Sequence, residues 1–145
     1  MPGFEMSTRI RRSAEEVFVV LADLTNDPKW RREWVDARAT TEGALDVGSR
    51  CVLVGRALGR RTEAEYEITE FVINRRVAWK TVRGPLPLTF FRAVDVEDGA
   101  TKVTIGYDAE VHGPMKVAGP LLAMMGKRAL AGDFPRLREL LETMP

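Results

Sequence analysis

Phe4, Met6, Thr8 and Ile10 alternate with Glu5, Ser7, Arg9 and Arg11, the period of two that marks a strand with one wet face. Ser13-Ala14-Glu15-Glu16 then supplies the serine and glutamate of a capping box, ahead of Val17, Val20, Leu21 and Leu24 at helical spacing. Thr25-Asn26-Asp27-Pro28 stops that helix and offers a cap and a first-turn proline to a second short one. Trp30 and Trp34 follow, one helical turn apart.

From Val35 the period returns to two. Gly43 and Gly48 bracket a turn, Arg50 to Ala57 reads as a strand, and Gly59 serves a tight connection into the cleanest alternation of the chain. There Thr62, Ala64, Tyr66 and Ile68 face one way and Arg61, Glu63, Glu65 and Glu67 the other. Asn74-Arg75 turns the chain into Val77, Trp79 and Thr81, and Gly84-Pro85-Leu86-Pro87 forms a stiff loop. A hairpin about Asp98-Gly99 joins Leu88, Phe90, Val94 and Val96 to Val103, Ile105, Tyr107 and Ala109.

Only the last stretch, Met115 to Leu141, repeats apolar residues with helical spacing over a long run: Ala118, Leu121, Leu122, Met125 and Ala129, then Leu137, Leu140 and Leu141. Pro120 and Pro135 fall within it and predict a kink or break. The order is strand, two short helices, six strands, long helix. That is an α+β chain in which a seven-stranded curved antiparallel sheet wraps around the C-terminal helix, and such a sheet encloses space that side chains seldom fill completely.

Composition narrows the picture. At 145 residues and 45% hydrophobic, the chain fits one domain, residues 1–145, with one core. Lys and Arg number 22 against 21 Asp and Glu, so no overall positive charge draws in nucleic acid or an anionic membrane. The pairs Arg11-Arg12, Arg31-Arg32, Arg60-Arg61 and Arg75-Arg76 read as solvated surface. No apolar run approaches the roughly 18 residues of a membrane span, and the first ten residues lack a signal-peptide pattern, so a cytoplasmic protein without stable membrane insertion, monomer or homodimer, is expected.

The lone Cys51 and lone His112 exclude an intramolecular disulfide and a multi-histidine metal site. No phosphate loop, dinucleotide fingerprint or Gly-x-Ser-x-Gly is present, and neither a metal nor a cofactor is expected. His112 follows the outward parity of Asp108 and Glu110, a rim position in preference to a catalytic base. Glu70 shares the inner parity of Tyr66 and Ile68 at a strand end.

Strand parity sorts the cavity lining: Tyr66 and Ile68, Trp79 and Thr81, Phe90 and Arg92, Ile105 and Tyr107, with Met115, Leu122 and Met125 from the terminal helix. Arg92 is the exception among apolar neighbours. Either it points into a hollow and grips a carboxylate or enolate oxygen, with Tyr66 and Tyr107 as added donors, or a bulge in its strand sends it to solvent.

The chain also resembles the polyketide cyclase/dehydrase-like branch of the START and birch-pollen-allergen superfamily, the helix-grip fold. Ser13-Ala14-Glu15-Glu16-Val17-Phe18, Asp27-Pro28-Lys29-Trp30, Val47-Gly48-Ser49-Arg50, Tyr66 to Phe71 with Arg76-Val77-Ala78-Trp79, and Gly99 to Thr104 carry that resemblance. It implies a cavity for a hydrophobic or amphipathic small molecule: a lipid, polyketide or aromatic acid. Two alternatives stand beside binding. One is a cyclase or dehydratase using Arg92, Tyr66, Tyr107 or His112, for which the carbon-proton acceptor lacks a clear candidate. The other is a regulatory or protein-interaction domain, for which an exposed apolar patch is the discriminating feature; the alternation predicts none beyond the cavity mouth.

Overall fold

The computed structural model describes residues 3–57, 59–109 and 113–145. His112 and the side chain of Met115 lie outside this description. The alternating segments form β1 (Gly3–Ile10), β2 (Trp34–Ala39), β3 (Arg50–Ala57), β4 (Arg60–Val72), β5 (Arg76–Arg83), β6 (Leu88–Glu97) and β7 (Ala100–Ala109). Each pairs antiparallel with its neighbours in one sheet, ordered β1-β7-β6-β5-β4-β3-β2. Strands β2 to β7 are thus a simple meander, and the crossover that brings β1 beside β7 is made by the helical segment after β1.

That segment is α1 (Ala14–Ala22) followed by a 3-10 helix, Leu24–Lys29. The expected capping box is present: the Glu16 amide donates to Ser13 Oγ and the Ser13 amide to Glu16 Oε1, each at 3.2 Å. Asp23 caps the 3-10 helix by accepting from the Thr25 amide at 3.0 Å. A second 3-10 helix, Gly113–Ala118, leads into α2, Gly119–Glu142.

The two prolines behave differently from each other. Pro120 sits at the first turn of α2, where its missing N–H is no loss, and marks the junction between the 3-10 segment and the α-helix. Pro135 lies inside a helix that continues through it, so the expected break does not occur there.

Burial divides α2 in two. Leu130, Asp133, Phe134, Leu137 and Leu141 are buried and close the core. The first half stands away from the sheet, with Leu121, Met124 and Met125 each more than half exposed, so the continuous apolar face read from the sequence is covered only at its C-terminal end. One close approach fixes the first half: a Cβ at Gly126 would lie 2.5 Å from the Phe4 ring, so only glycine lets the helix meet β1 there.

Across the concave face, Phe4, Tyr107, Phe90 and Trp79 stack ring on ring through β1, β7, β6 and β5, with centroids 5.4, 5.2 and 4.9 Å apart. They are direct cross-strand partners, the pairs that contribute most to sheet stability. Val96, at the hairpin end of β6, is the exception to that strand's inner row and is exposed.

The sheet also corrects the expected register. No bulge occurs along β6, so Arg92 points inward. Register shifts fall instead at Trp34/Asp36 in β2 and at Glu65/Tyr66 and Ile68/Glu70 in β4, the last of which bears on the expected faces. That shift turns Phe71 in against Phe18, at 5.6 Å between ring centroids, and sends Glu70 out to Arg76 at 2.8 Å, so Glu70 loses the inner position that strict alternation assigns it.

Arg92 is 1% exposed, and both of its terminal nitrogens are bonded, while Nε has no partner among the described residues. Nη1 and Nη2 donate to the two carboxylate oxygens of Asp27 at 2.8 and 2.6 Å, and Nη1 also donates to the Leu21 carbonyl at 3.0 Å. The guanidinium lies 5.1 and 5.4 Å from the Trp30 and Trp79 rings. This pair pins the 3-10 helix to the middle of the sheet. Removing one partner of such a pair leaves a bare buried charge and costs about 3–5 kcal/mol. Asp27→Ala is therefore expected to lose stability on that order in urea unfolding, and Asp27→Leu/Arg92→Met to recover most of it. A loss below about 1 kcal/mol for Asp27→Ala, the range of a surface pair, would contradict this reading.

Candidate functional site

Because the first half of α2 stands off the sheet, a hollow remains between them, and a second adjoins it between the sheet, Glu33 and Trp34, and the Gly84 to Pro87 loop. An outer lobe of about 290 Å³ lies under α2, against Leu122, Ala123, Met125 and Ala129. An inner lobe of about 200 Å³ reaches toward Trp34, Leu53, Ala64 and Tyr66. Glu33, Leu86, Leu88 and Tyr107 line both, so the lobes adjoin at those four side chains. Together they enter the range of small-molecule sites, about 300–1,000 Å³. Two larger hollows are open troughs elsewhere: one of about 790 Å³ between β1, the Asp98-Gly99 turn and the end of α2, walled by Arg9 and Glu142, and one of about 540 Å³ on the outer face of the sheet, walled by Thr69 and Arg76.

The junction is polar, and Arg31 organises it. This side chain is 3% exposed. Its Nε donates to Asp133 Oδ2 of α2 at 2.9 Å, Nη1 to the Tyr107 hydroxyl of β7 at 2.7 Å, and Nη2 to Glu33 Oε1 at 3.2 Å. Burial by itself works against the guanidinium's charge, but Tyr107, Glu33, Asp27 and Asp133 outweigh it and push its pKa up, so Arg31 stays a cation. Asp133 also accepts from Arg32 Nε at 3.4 Å.

Glu33 is the movable member of this group: its side chain is 49% exposed and its bond to Arg31 is the longest of the three. Its backbone is set by a close strand crossing, since a Cβ at Gly55 would lie 2.7 Å from the Glu33 carbonyl oxygen and 3.0 Å from the Trp34 ring. Tyr66 stands edge-on to Phe90 and Trp34, at 5.1 and 6.5 Å. Among the described residues no hydrogen bond reaches the Tyr66 hydroxyl. The cavity thus offers an apolar body, two phenols and the half-exposed carboxylate of Glu33, with Asp27 and Glu63 also bordering the inner lobe.

The expected lining is sorted accordingly. Tyr66, Phe90, Tyr107, Leu122 and Met125 line the lobes. Ile68, Trp79 and Ile105 are buried in the packed core and line neither lobe. Thr81 accepts from the Leu88 amide at 3.1 Å, so its hydroxyl closes the Gly84 to Pro87 loop. Arg92 does not line the cavity either; a ligand-gripping role for it is overturned because Asp27 already occupies its fork. His112 and the Met115 side chain fall outside the described residues.

Sequence reasoning misses Arg31, Glu33, Asp27 and Asp133. Arg31 has the pattern of half a solvated basic pair, and Asp27 that of a cap. A signal for Asp133 does exist: with Leu130, Phe134 and Leu137 it occupies the apolar stripe of the helix, where a carboxylate demands a partner.

A curved sheet closed on a long helix around a partly empty interior defines a helix-grip container. The family model described as polyketide cyclase / dehydrase and lipid transport matches residues 1–143, and the chain belongs to that family. No curated protein matches it. Among solved structures it is similar to TTHA0849 from Thermus thermophilus, at 16% identity and TM-score 0.80, covering 99% of this chain and 100% of that one. It is similar to a START superfamily protein from Mycobacterium smegmatis, at 16% identity and TM-score 0.76, covering 99% of both. The Zhui aromatase/cyclase from a Streptomyces species, strain R1128, matches at 15% identity and TM-score 0.74, covering 97% of this chain and 93% of that one. At these identities the likeness is one of fold, and it bears out the helix-grip fold.

The β3–β4 pairing beside the inner lobe carries a pH signature. Burial pushes the Cys51 thiol up to about 12. Tyr66, its cross-strand partner, is also raised, first by burial and then by Tyr107 and Glu33. Both groups keep protons in the folded chain that the unfolded chain releases at about pH 8.5 and 10. The unfolded state then binds fewer protons, so stability is full below about pH 8.5 and falls as pH rises from there. Urea unfolding at stepped pH is expected to show that decline, and a Cys51→Ala/Tyr66→Phe variant to flatten it; an equal slope in both proteins would contradict it.

Proposed function

We propose that the protein binds a hydrophobic or amphipathic small molecule in the two-lobed cavity. The observation that carries this reading is the adjoining pair of largely apolar hollows, meeting at Glu33, Leu86, Leu88 and Tyr107, with Arg31 on the outer side of that junction and Tyr66 on the inner. Leucine and methionine side chains give the apolar body an adaptable wall. A polar ligand end at the junction finds donors in the phenols and an acceptor in Glu33. A lipid, a polyketide and an aromatic acid each match that description in part; an acid must displace Glu33 from Arg31, whereas a hydroxyl or carbonyl need not.

Glu33 also supports a second reading, cyclase or dehydratase chemistry. It is a carboxylate on the wall of both lobes, the proton acceptor that strand parity alone does not supply, and it stands beside hydroxyls able to hold a developing oxyanion. Binding and turnover separate the two.

The test is titration with the fluorophore 1-anilinonaphthalene-8-sulfonate, followed by displacement with a library of fatty acids and aromatic ketones. The wild-type protein is expected to bind the fluorophore, and Ala123→Phe, which fills the outer lobe, to weaken it at least about tenfold, the equivalent of about 1.4 kcal/mol, with unchanged thermal unfolding. Equal affinity in Ala123→Phe would refute the cavity reading. Conversion of a displacing ketone that Glu33→Gln abolishes while still binding it would establish the second reading.

A further inference from the structure

The balanced charge of the whole chain hides a local imbalance beside the cavity mouth. Between Gly113 and Gly132 there is no acidic residue, while Lys116, Lys127 and Arg128 are all present and exposed. The same stretch carries Val117, Leu121, Met124 and Met125 at 86, 53, 56 and 57% exposure. Leu121, Met124, Met125 and Arg128 are spaced three, four and seven residues apart, so they share the outer face of the first half of α2. The alternation of the strands predicts no such patch, and its presence corrects that expectation.

We propose that this face of α2, with the end of the 3-10 helix before it, docks on an anionic lipid surface and presents the cavity mouth to it. An apolar stripe flanked by cations on a helix lying flat is the arrangement that seats in a headgroup layer. Each exposed Lys or Arg near such a surface strengthens the attraction, which falls off within a Debye length. Position supports the same occupant. Met125 belongs both to the exposed stripe and to the wall of the outer lobe, so a molecule leaving the bilayer beside α2 meets the lobe without crossing the solvated outer face of the sheet. A second copy of the chain is the poorer occupant: an isologous contact sets the patch against itself, bringing Lys127 and Arg128 against their own equivalents with no acid in the segment to pair them. Docking stands independently of what the cavity holds.

Flotation with vesicles tests this. The full-length protein is expected to float with vesicles of phosphatidylcholine and phosphatidylglycerol, to stay behind with phosphatidylcholine alone, and to be released by high salt. Leu121→Gln/Met124→Gln and Lys127→Glu/Arg128→Glu alter exposed side chains that line neither lobe, and each is expected to weaken flotation at least about tenfold with unchanged thermal unfolding. Ala123→Phe is expected to float like the wild type, which separates docking from cavity binding. Absence of wild-type flotation, or equal flotation of both double variants, would overturn the proposal. So would a concentration-dependent dimer in sedimentation that the double variants abolish while flotation persists.

Discussion

The interior is organised by one buried cation. A guanidinium as enclosed as that of Arg31 is costly to bury without partners, and each of its three nitrogens donates to an oxygen from a different part of the fold: Asp133 on α2, Tyr107 on β7 and Glu33 just before β2. Satisfying all three fixes how far α2 stands from the sheet at that point. Beyond it, toward Leu141, the helix packs tightly. Before it, toward Gly119, the helix is held off, and the hollow follows. The second buried cation, Arg92, works on the other side of the core, where Asp27 and two indole rings fasten the 3-10 helix to the sheet. One arginine therefore closes the core while the other props the container open.

This division of labour explains what can be read from the residues alone. Strand parity places Tyr66, Phe90 and Tyr107 correctly because each points to a face that only two-residue periodicity determines. The capping box at Ser13 and Glu16 and the turns at Gly48 and Gly99 are equally legible, since their chemistry is local. Arg92 is legible as inward and illegible as paired. Its partner lies 65 residues away in a loop-like Asn-Asp-Pro segment, and no local pattern announces a bond between them. Arg31 is harder still, because a basic pair followed by glutamate has the look of a solvated surface; only closure of α2 through Asp133, 102 residues on, takes it out of water. The bulge at Glu70 belongs to the same class of surprise, a tertiary demand to bury Phe71 that overrides strict alternation.

The terminal helix combines the two levels. Its C-terminal half obeys the amphipathic pattern and is buried accordingly. Its N-terminal half has the same pattern with no surface among the described residues to cover it, so Leu121 and Met124 face outward while Leu122 and Ala123 border the hollow. The helix is thus anchored at one end and apolar on two sides at the other, where it walls the hollow. Such a wall needs only the contacts of its free half to loosen, among them the close approach of Gly126 to Phe4.

If the space between α2 and the sheet is a ligand site held open by the Arg31 group, an experimental structure of the wild-type protein grown with 1-anilinonaphthalene-8-sulfonate will show it. The fluorophore is expected between Tyr66, Tyr107 and Leu122, with Arg31 still bonded to Asp133 and Tyr107. A structure in which Leu122 and Met125 have closed onto Tyr107, with the fluorophore bound elsewhere or not at all, would contradict it.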